Sequence, residues 1–207
     1  MRLSLLLVYN FVKVLVYLFN DAVNCWFEKD KKLLDDNCSE PAMCGALMVH
    51  LNEKIKNTLF EDYHADVEYN RNEGSTKSKG AKIKTIYDVN GFQNSGFISI
   101  ICDLVLHSRG NNKQQDNLIA VEMKKASALD DDKMEDRARL KALTNNISKG
   151  VVYNPDGKTL PQDVCRYILG IFIEIDTKNS ELKIEYYRKG ELDPMAKELA
   201  EYNNENV

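Results

Sequence analysis

Three charged residues stand in two segments that are otherwise largely apolar: Asp103 in residues 97–107, and Glu122 and Lys124 in residues 117–124. Apolar residues occupy both alternating faces of each segment, which is typical of central strands that are buried on both sides. A buried charge is costly unless it is paired or serves a purpose. We therefore take these three side chains as the first candidates for chemistry.

The two segments predict an antiparallel hairpin whose register brings the three side chains together. Folding the connection, residues 108–117, about its midpoint places Asp103 directly opposite Glu122. Because alternate residues of a strand share a face, Lys124 lies on the same face as Glu122. The same register pairs Val105 with Ala120 and His107 with Leu118.

Two opposed carboxylates beside an amine predict a metal-dependent hydrolytic site. Opposed carboxylates repel one another unless a cation lies between them. Oxygen ligands without sulfur or imidazole favour Mg²⁺ or Mn²⁺ over zinc. Lys124 would supply positive charge where an attacked phosphate develops negative charge. The predicted reaction is hydrolysis of a phosphodiester bond.

The rest of the chain predicts an α/β domain that positions these residues. A helix begins near Ser39, with Pro41 in its first turn and apolar residues every four positions as far as Leu59. Residues 65–69 follow as a strand, the two central strands come next, and residues 130–147 form a second helix. Residues 167–176 and 182–187 predict a final hairpin.

On the second helix the pattern predicts one apolar and one charged side. We expect Met134, Ala138, Ala142 and Leu143 to face the core. We expect the basic side chains that alternate with Asp136 and Ala138 to form a solvated face; they are Arg137, Arg139 and Lys141.

An Asp on one strand and Glu-x-Lys on the next, in the order helix, three strands, helix, strand, resembles the PD-(D/E)XK nuclease superfamily. Its motif segments here are Ile-Cys-Asp at 101–103 and Val-Glu-Met-Lys at 121–124, and the similar order covers residues 39–187. Cys102 stands where the family's proline would be. Residues 68–71 (Glu-Tyr-Asn-Arg) and 107–110 (His-Ser-Arg-Gly) also resemble small uncharacterised bacterial members of the superfamily.

The resemblance implies a restriction-endonuclease-like core with Asp103, Glu122 and Lys124 as its catalytic residues and Mg²⁺ or Mn²⁺ as its cofactor. It also implies a further acidic metal ligand from the first core helix, which we match to Glu40. An acidic residue at a helix start also simply complements the helix dipole. Glu68 is either another metal ligand or a plain exposed strand residue.

Substrate-binding candidates lie outside the two central strands. The segment 71–84 carries a cluster of lysines that would hold phosphates or would form a solvated loop, and the cluster includes Lys77, Lys79 and Lys82. His107 lies on the face of Asp103 and either contacts substrate or has a structural role, and Arg109 follows it.

A second Glu-x-Lys occurs at Glu181-Leu182-Lys183, preceded by Asp176. Only a four-residue turn separates Asp176 from Glu181, so these groups are expected at the mouth of a hairpin, in solvent and without an apolar pocket. We interpret this second motif as surface.

The amino-acid composition is compatible with a nuclease but shows no overall positive charge that would indicate one. The net charge is -4 and the sequence pI is about 5.5, so nucleic acid would have to be held by local basic clusters. Five cysteines without a CxxC pair argue against a disulfide framework and a zinc site, and favour a reducing cytoplasm.

Residues 3–19 are almost wholly apolar and leave three interpretations open: a buried or dimer-forming helix, a membrane anchor, or a signal sequence. We divide the chain into an apolar helix and charged linker (1–36), the nuclease-like domain (37–190) and a polar tail (191–207). The charge-rich stretch 28–36 is expected to interrupt the helical structure.

Two functions from different classes fit the sequence. The first is an Mg²⁺-dependent nuclease acting on DNA. The second is a catalytically inactive domain of the same fold that binds nucleic acid or protein. Intact Asp103, Glu122 and Lys124 favour the nuclease. Because no targeting module is evident, a homodimer or a partner protein is expected to select the substrate.

Overall fold

The computed structural model describes residues 2–69, 71–72, 82–83, 85–87, 97–99, 101–112, 114–145, 166–194 and 196–197. The helices in these residues are α1 (Arg2–Lys29), α2 (Lys31–Asp35), α3 (Glu40–Ile55) and α4 (Asp130–Thr144). The strands are β1 (His64–Val67), β2 (Arg71–Asn72), β3 (Lys82–Ile83), β4 (Thr85–Tyr87), β5 (Phe97–Ser99), β6 (Leu104–His107), β7 (Asn117–Lys125), β8 (Leu169–Asp176), β9 (Glu181–Arg188) and β10 (Glu191–Leu192).

A six-stranded mixed sheet forms the centre of the fold, in the order β1-β6-β7-β8-β9-β10. Neighbouring strands are antiparallel except for β7 and β8, which are parallel and are connected through α4. Two further antiparallel pairs, β2 with β3 and β4 with β5, lie outside this sheet. The protein is therefore a mixed α/β fold, as the sequence predicts.

The strand predicted over residues 97–107 is divided. Its first part is β5, which pairs with β4, and its last part is β6 in the central sheet. Asp103 lies between them and accepts a hydrogen bond through Oδ2 from the backbone N–H of Met123, at 2.7 Å. A side-chain oxygen thus takes the place of the next ladder bond, which ends the regular pairing at Leu104.

The register between β6 and β7 agrees with the prediction at its centre and differs at its end. Val105 pairs with Ala120, as the symmetric hairpin predicts. His107, however, pairs with Asn117 instead of Leu118, because the register shifts between Leu106 and His107. One residue of β7 is therefore unpaired, as in a β-bulge.

One face of the sheet is covered by α1 and α3. The first of these helices contributes a buried stripe that packs into the same core as the apolar residues of α3 and the sheet; its members are Val12, Leu15, Val16, Phe19, Ala22, Val23 and Trp26. Burial in the protein's own core, one of the three interpretations of the apolar segment, is thus what the structure shows from Val12 onward. Among the described residues, no helix combines the length and the apolarity needed to cross a membrane.

The charge-rich stretch 28–36 interrupts the helices less than its composition predicts. It forms the end of α1 and the whole of α2, and the break is confined to Asp30. Leu34 of α2 is fully buried, so tertiary packing outweighs the charged composition of this stretch.

The opposite face of the sheet is covered by α4, and the side of this helix that packs inward agrees only in part with the predicted one. Met134 is 57% exposed. The buried side of the helix instead combines polar and apolar residues, spaced three or four positions apart. The buried residues are Lys133, Asp136, Leu140, Leu143 and Thr144. The prediction is correct for Leu143, which is fully buried, and wrong for Met134. It fails at Met134 because this part of the sheet itself carries charged residues, which charged helix residues can pair.

Several sequence predictions fall wholly or partly beyond the described residues. Lys77 and Lys79 lie outside them, and Lys82 lies on β3, whose backbone pairs with β2. The predicted loop 71–84 therefore starts and closes with a short antiparallel pair. Cys165 is also outside the described residues, and the other four cysteines carry free thiols, consistent with the expectation of no disulfide framework.

Candidate active site

Asp103 lies immediately before β6, at the point where β1, β6 and β7 meet. Its carboxylate accepts the N–H of Met123, and its carbonyl accepts the N–H of Glu68 at 3.2 Å. Burial raises the pKa of Asp103, and the hydrogen bond from Met123 offsets only part of this effect.

Glu122 lies in the middle of β7 and is 1% exposed. One carboxylate oxygen, Oε1, accepts a hydrogen bond from Nη1 of Arg139 at 3.0 Å. Burial raises the pKa of Glu122 well above its ordinary value, the guanidinium of Arg139 opposes this, and the negative charges of Asp103 and Asp136 add to it. The carboxylate is therefore held at an electrostatic cost.

Lys124 lies two residues further along β7, on the same face as Glu122. Its Nζ is 3.1 Å from Oδ2 of Asp136 and 3.8 Å from Oε2 of Glu40. Burial alone would lower the pKa of Lys124, but Asp136, Asp103 and Glu40 together raise it. The amine therefore carries a positive charge and is suited to stabilise negative charge nearby.

Glu40 is the residue that we match to the acidic metal ligand implied for the first core helix. Its carboxylate lies near Lys124. Glu40 is the first residue of α3, with Pro41 behind it in the first turn. Its Oε1 accepts the backbone N–H of Lys125 at 2.8 Å, and its Oε2 is the oxygen near Lys124. The start of α3 is thereby fixed against the end of β7.

Two residues of the site were missed by the sequence prediction, Asp136 and Arg139. Arg139 was expected on a solvated face, yet it pairs with Glu122, and the buried Asp136 pairs with both Lys124 and Arg139. The signal that was missed is the helical spacing. Leu143 and Leu140 face inward three positions apart, and Asp136 lies four positions before Leu140 on the same side of the helix.

We call these six residues the acid cluster: Glu40, Asp103, Glu122, Lys124, Asp136 and Arg139. It contains four carboxyl groups and two basic groups, so full ionisation leaves negative charge in excess. Carboxylate oxygens and negative excess suit a hard divalent cation such as Mg²⁺. Within the described part of the chain, however, no three His, Cys, Asp or Glu side chains converge closely enough to hold a metal ion.

The base of the acid cluster is apolar. Cys44 of α3 is buried, and its thiol lies 3.4 Å from the sulfur of Met123. Burial raises the pKa of the Cys44 thiol, and the negative charges of Asp103, Glu122 and Glu40 raise it further. The thiol is therefore neutral and lies close to three of the four acids.

Glu68, the other candidate metal ligand, is exposed and follows the end of β1. Its backbone adopts a left-handed conformation, with a φ of 49° that is uncommon for a residue other than glycine. Its described contact with the acid cluster is the backbone hydrogen bond to Asp103. The structure therefore joins its main chain to the cluster.

His107 and Arg109, the substrate-binding candidates next to the strand, lie at the other end of β6. His107 lies four positions after Asp103, which corresponds to about 13 Å along a strand. Nε2 of His107 is 3.0 Å from Asp66, Arg109 donates two hydrogen bonds to the same carboxylate at 2.7 and 2.5 Å, and the Tyr69 ring lies 4.2 Å from the His107 ring.

The shared carboxylate of Asp66 shows how strongly this second group is paired. Burial alone would raise the pKa of Asp66, but hydrogen bonds from Arg109 and His107 hold it below its ordinary value. His107 is itself buried. In the described state these residues form a connected ion-pair group at the end of β6 and beside β1, apart from the acid cluster.

The second Glu-x-Lys lies on the surface, as predicted. Asp176 and Glu181 face each other across the turn between β8 and β9, and Glu181 is exposed. The side chain of Lys183 is 77% exposed, and its Nζ lies 3.3 Å from Glu174. This motif has the same Glu-x-Lys pattern as the first, but its side chains are not buried. It therefore provides a matched control for the acid cluster.

Comparison of this chain with protein-family models, with curated proteins and with solved structures finds no match.

Proposed function

We propose that this protein is a metal-dependent nuclease that hydrolyses phosphodiester bonds of DNA. The observation that carries the proposal is the meeting of Asp103, Glu122 and the charged amine of Lys124 in a partly buried cluster that has excess negative charge and in which Glu122 itself is buried. A solvated ion-pair network would not need burial, and burial of unbalanced acids is costly unless they have a function.

The order of the core elements supports the same proposal. From α3 onward, the elements of the central sheet and its covering helix run α3, β1, β6, β7, α4, β8, with β6 and β7 antiparallel and β7 and β8 parallel. This is the order expected from the resemblance to restriction-endonuclease-like proteins: a helix, three strands, a helix and a strand. The two motif segments lie before β6 and within β7, on neighbouring strands of the sheet, which supports the proposal.

The residues of the acid cluster take complementary roles in this proposal. Asp103 and Glu122 would hold the cation, with Glu40 as a further oxygen ligand. A bound Mg²⁺ or Mn²⁺ supplies a Lewis acid and a hydroxide at neutral pH. Lys124 is already charged and stabilises the negative charge that develops on the phosphate. Asp136 holds the amine of Lys124 in place from α4.

The DNA backbone would be held by basic residues outside the acid cluster. Lys77, Lys79 and Lys82 lie in the segment that follows β1, the strand whose end meets Asp103. Arg109 is paired with Asp66 in the described state, so contact with DNA would compete with this pair. A homodimer or a partner protein would contribute the choice of substrate.

One observation favours the alternative of a catalytically inactive domain that binds nucleic acid or protein. Glu122 and Lys124 are both paired with side chains of α4, and no three-ligand group is formed among the described residues. If the domain lacks catalysis, these pairs serve only to hold α4 on the sheet.

Cleavage assays with site variants decide between these functions. Purified protein is incubated with supercoiled plasmid or with RNA, in Mg²⁺, Mn²⁺ or EDTA. We expect metal-dependent nicking of plasmid, and a loss of at least about 100-fold in Asp103→Ala, Glu122→Ala and Lys124→Ala. Lys183→Ala, from the exposed second motif, is the matched control and should cleave as the wild type does.

Other outcomes have defined meanings. Wild-type rates in any of the three site variants would show that the site is assigned wrongly. An inert wild type that still binds nucleic acid in a mobility-shift assay would establish the inactive alternative. Cleavage of RNA alone would correct the substrate. Circular dichroism of each variant establishes that a lost activity is not a lost fold.

A further inference from the structure

Helix α4 presents two arginines to the sheet, and they differ in their surroundings. Arg137 donates through Nε and Nη2 to the two carboxylate oxygens of Glu185, at 2.8 and 2.9 Å. Its guanidinium also lies 4.1 Å from the centre of the Phe172 ring. The pair is partly exposed, and hydrogen bonding from Arg137 lowers the pKa of Glu185. Arg137 therefore forms a one-to-one ion pair with Glu185, which connects α4 to the sheet without excess charge.

Arg139 instead lies inside a group that has more acids than bases. Its Nη1 contacts a single oxygen of Glu122, and its Nη2 lies 3.1 Å from Oδ1 of Asp136. The carboxylate that it contacts is almost fully buried, whereas the carboxylate of Glu185 is one-third exposed. Arg139 thus supplies one of two positive charges to four carboxyl groups.

Arg139 engages one of the two oxygens through which Glu122 would bind a metal ion. Glu122 is proposed as a metal ligand, and in the described state its Oε1 is engaged by Nη1 of Arg139. A guanidinium and a divalent cation on one carboxylate repel each other. Because Asp136 holds the other end of the guanidinium, Arg139 is retained at this place by a second contact.

We propose that Arg139 is a resident counter-ion of Glu122 that competes with the divalent cation, so that metal binding requires the Arg139–Glu122 pair to open. This proposal rests on the proposed metal-dependent nuclease function. It assigns Arg139 a positioning role in metal loading: the guanidinium neutralises the buried carboxylate while no metal is bound and withdraws when a cation arrives.

Direct measurement of Mn²⁺ binding tests this role without any cleavage assay. Free Mn²⁺ is followed by electron paramagnetic resonance during titration of the full-length protein. Repulsion between a divalent and a monovalent charge at contact range corresponds to about tenfold or more in affinity. We therefore expect Arg139→Gln to bind Mn²⁺ at least about tenfold more tightly than the wild type. Arg139→Lys, which keeps the charge, should remain close to the wild type.

The matched control is Arg137→Gln, which removes the other α4 arginine from its strand glutamate. It should destabilise the protein in EDTA but leave the Mn²⁺ affinity within about twofold. Equal or weaker Mn²⁺ binding by folded Arg139→Gln, beside a wild type that does bind, would overturn the competition and leave the nuclease proposal intact. Failure of every variant and the wild type to bind Mn²⁺ would overturn both. Should Arg139→Gln not fold, Arg139→Met replaces it in the same titration: tighter Mn²⁺ binding than in the wild type supports competition, and equal or weaker binding refutes it.

Discussion

Gly170 on β8 decides how closely α4 approaches the sheet, and replacing it with alanine tests the packing that positions the acid cluster. A Cβ at this position would lie 3.0 Å from Cγ2 of Thr144, 3.3 Å from Cβ of Leu140 and 3.3 Å from Cβ of Tyr187. The first distance is at the limit that real contacts show, and the added methyl group meets both α4 and β9. Gly170→Ala must therefore move the helix or the strands.

The side chains around Gly170 are buried and held by hydrogen bonds, so moving them to accept a methyl group costs free energy. Thr144 is buried, its hydroxyl donates to the carbonyl of Leu140 at 2.9 Å, and the same oxygen accepts the N–H of Gly190 at 3.2 Å. Leu140 and Tyr187 are also buried. Overpacking of this kind costs about 1–3 kcal/mol. For a chain of this size, that corresponds to a fall of roughly 2–12 °C in Tm.

Gly45 provides a control of opposite sign. It lies inside α3, and a Cβ added there meets nothing within 4 Å. Alanine at an open helical site is favoured over glycine by about 0.5–1 kcal/mol, so Gly45→Ala should raise Tm by roughly 1–4 °C. Both variants are compared with the wild type by calorimetry in EDTA, to exclude metal effects.

The two outcomes refute different steps. If Gly170→Ala melts at the same temperature as the wild type, α4 does not pack as closely on β8 as described. Gly170→Ala should also weaken cleavage, because a shifted α4 misplaces Asp136 beside Lys124. Retained cleavage with a lowered Tm would mean that the acid cluster does not depend on the position of α4.

Two further predictions concern charge. Burial raises the pKa of Glu122, so the folded chain keeps a proton that the unfolded chain loses above about pH 4.3. Metal-free stability should therefore fall as pH rises from there through the folded pKa, by up to about 1.4 kcal/mol per pH unit, and urea titrations of Glu122→Gln should lack this component. Replacing Lys77, Lys79 and Lys82 with Gln should weaken the binding of duplex DNA. The slope of the log binding constant against log salt concentration should become shallower by up to about 0.9 for each phosphate that is no longer neutralised. An unchanged slope in fluorescence titrations would show that these lysines do not bind DNA.

The sequence was most informative where a short-range rule leaves few solutions. Alternation along two apolar strands, with a connection of known length, predicts that Val105 pairs with Ala120, and the structure confirms it. The same rule failed at His107, because Asp116 closes the connection. Its carboxylate accepts the hydroxyl of Ser108 at 2.6 Å and the N–H of Gly110 at 2.8 Å. The bulge next to it is not encoded in alternation.

Helix α4 shows where such rules end. Its hydrophobic pattern pointed to Met134 as a core residue, but the helix covers a strand face that itself carries Glu122 and Lys124. Which side of a helix is buried then depends on the charges across the interface, and not on its apolar residues alone. Asp136 and Arg139 became visible as site residues only once β7 and α4 were packed together.

By itself, the sequence determined β7 and the end of the strand before it, the shared face of Glu122 and Lys124, and the surface position of the second Glu-x-Lys. Each of these depends on the two-residue period of a strand or on a short turn, which are local properties. The tertiary structure alone decided that Glu122 is paired with Arg139, that Glu40 caps the end of β7, and that His107 and Arg109 lie away from the acid cluster. These relations join residues up to 85 positions apart in the chain, so they follow from how helices are placed on the sheet and have no signature in local spacing.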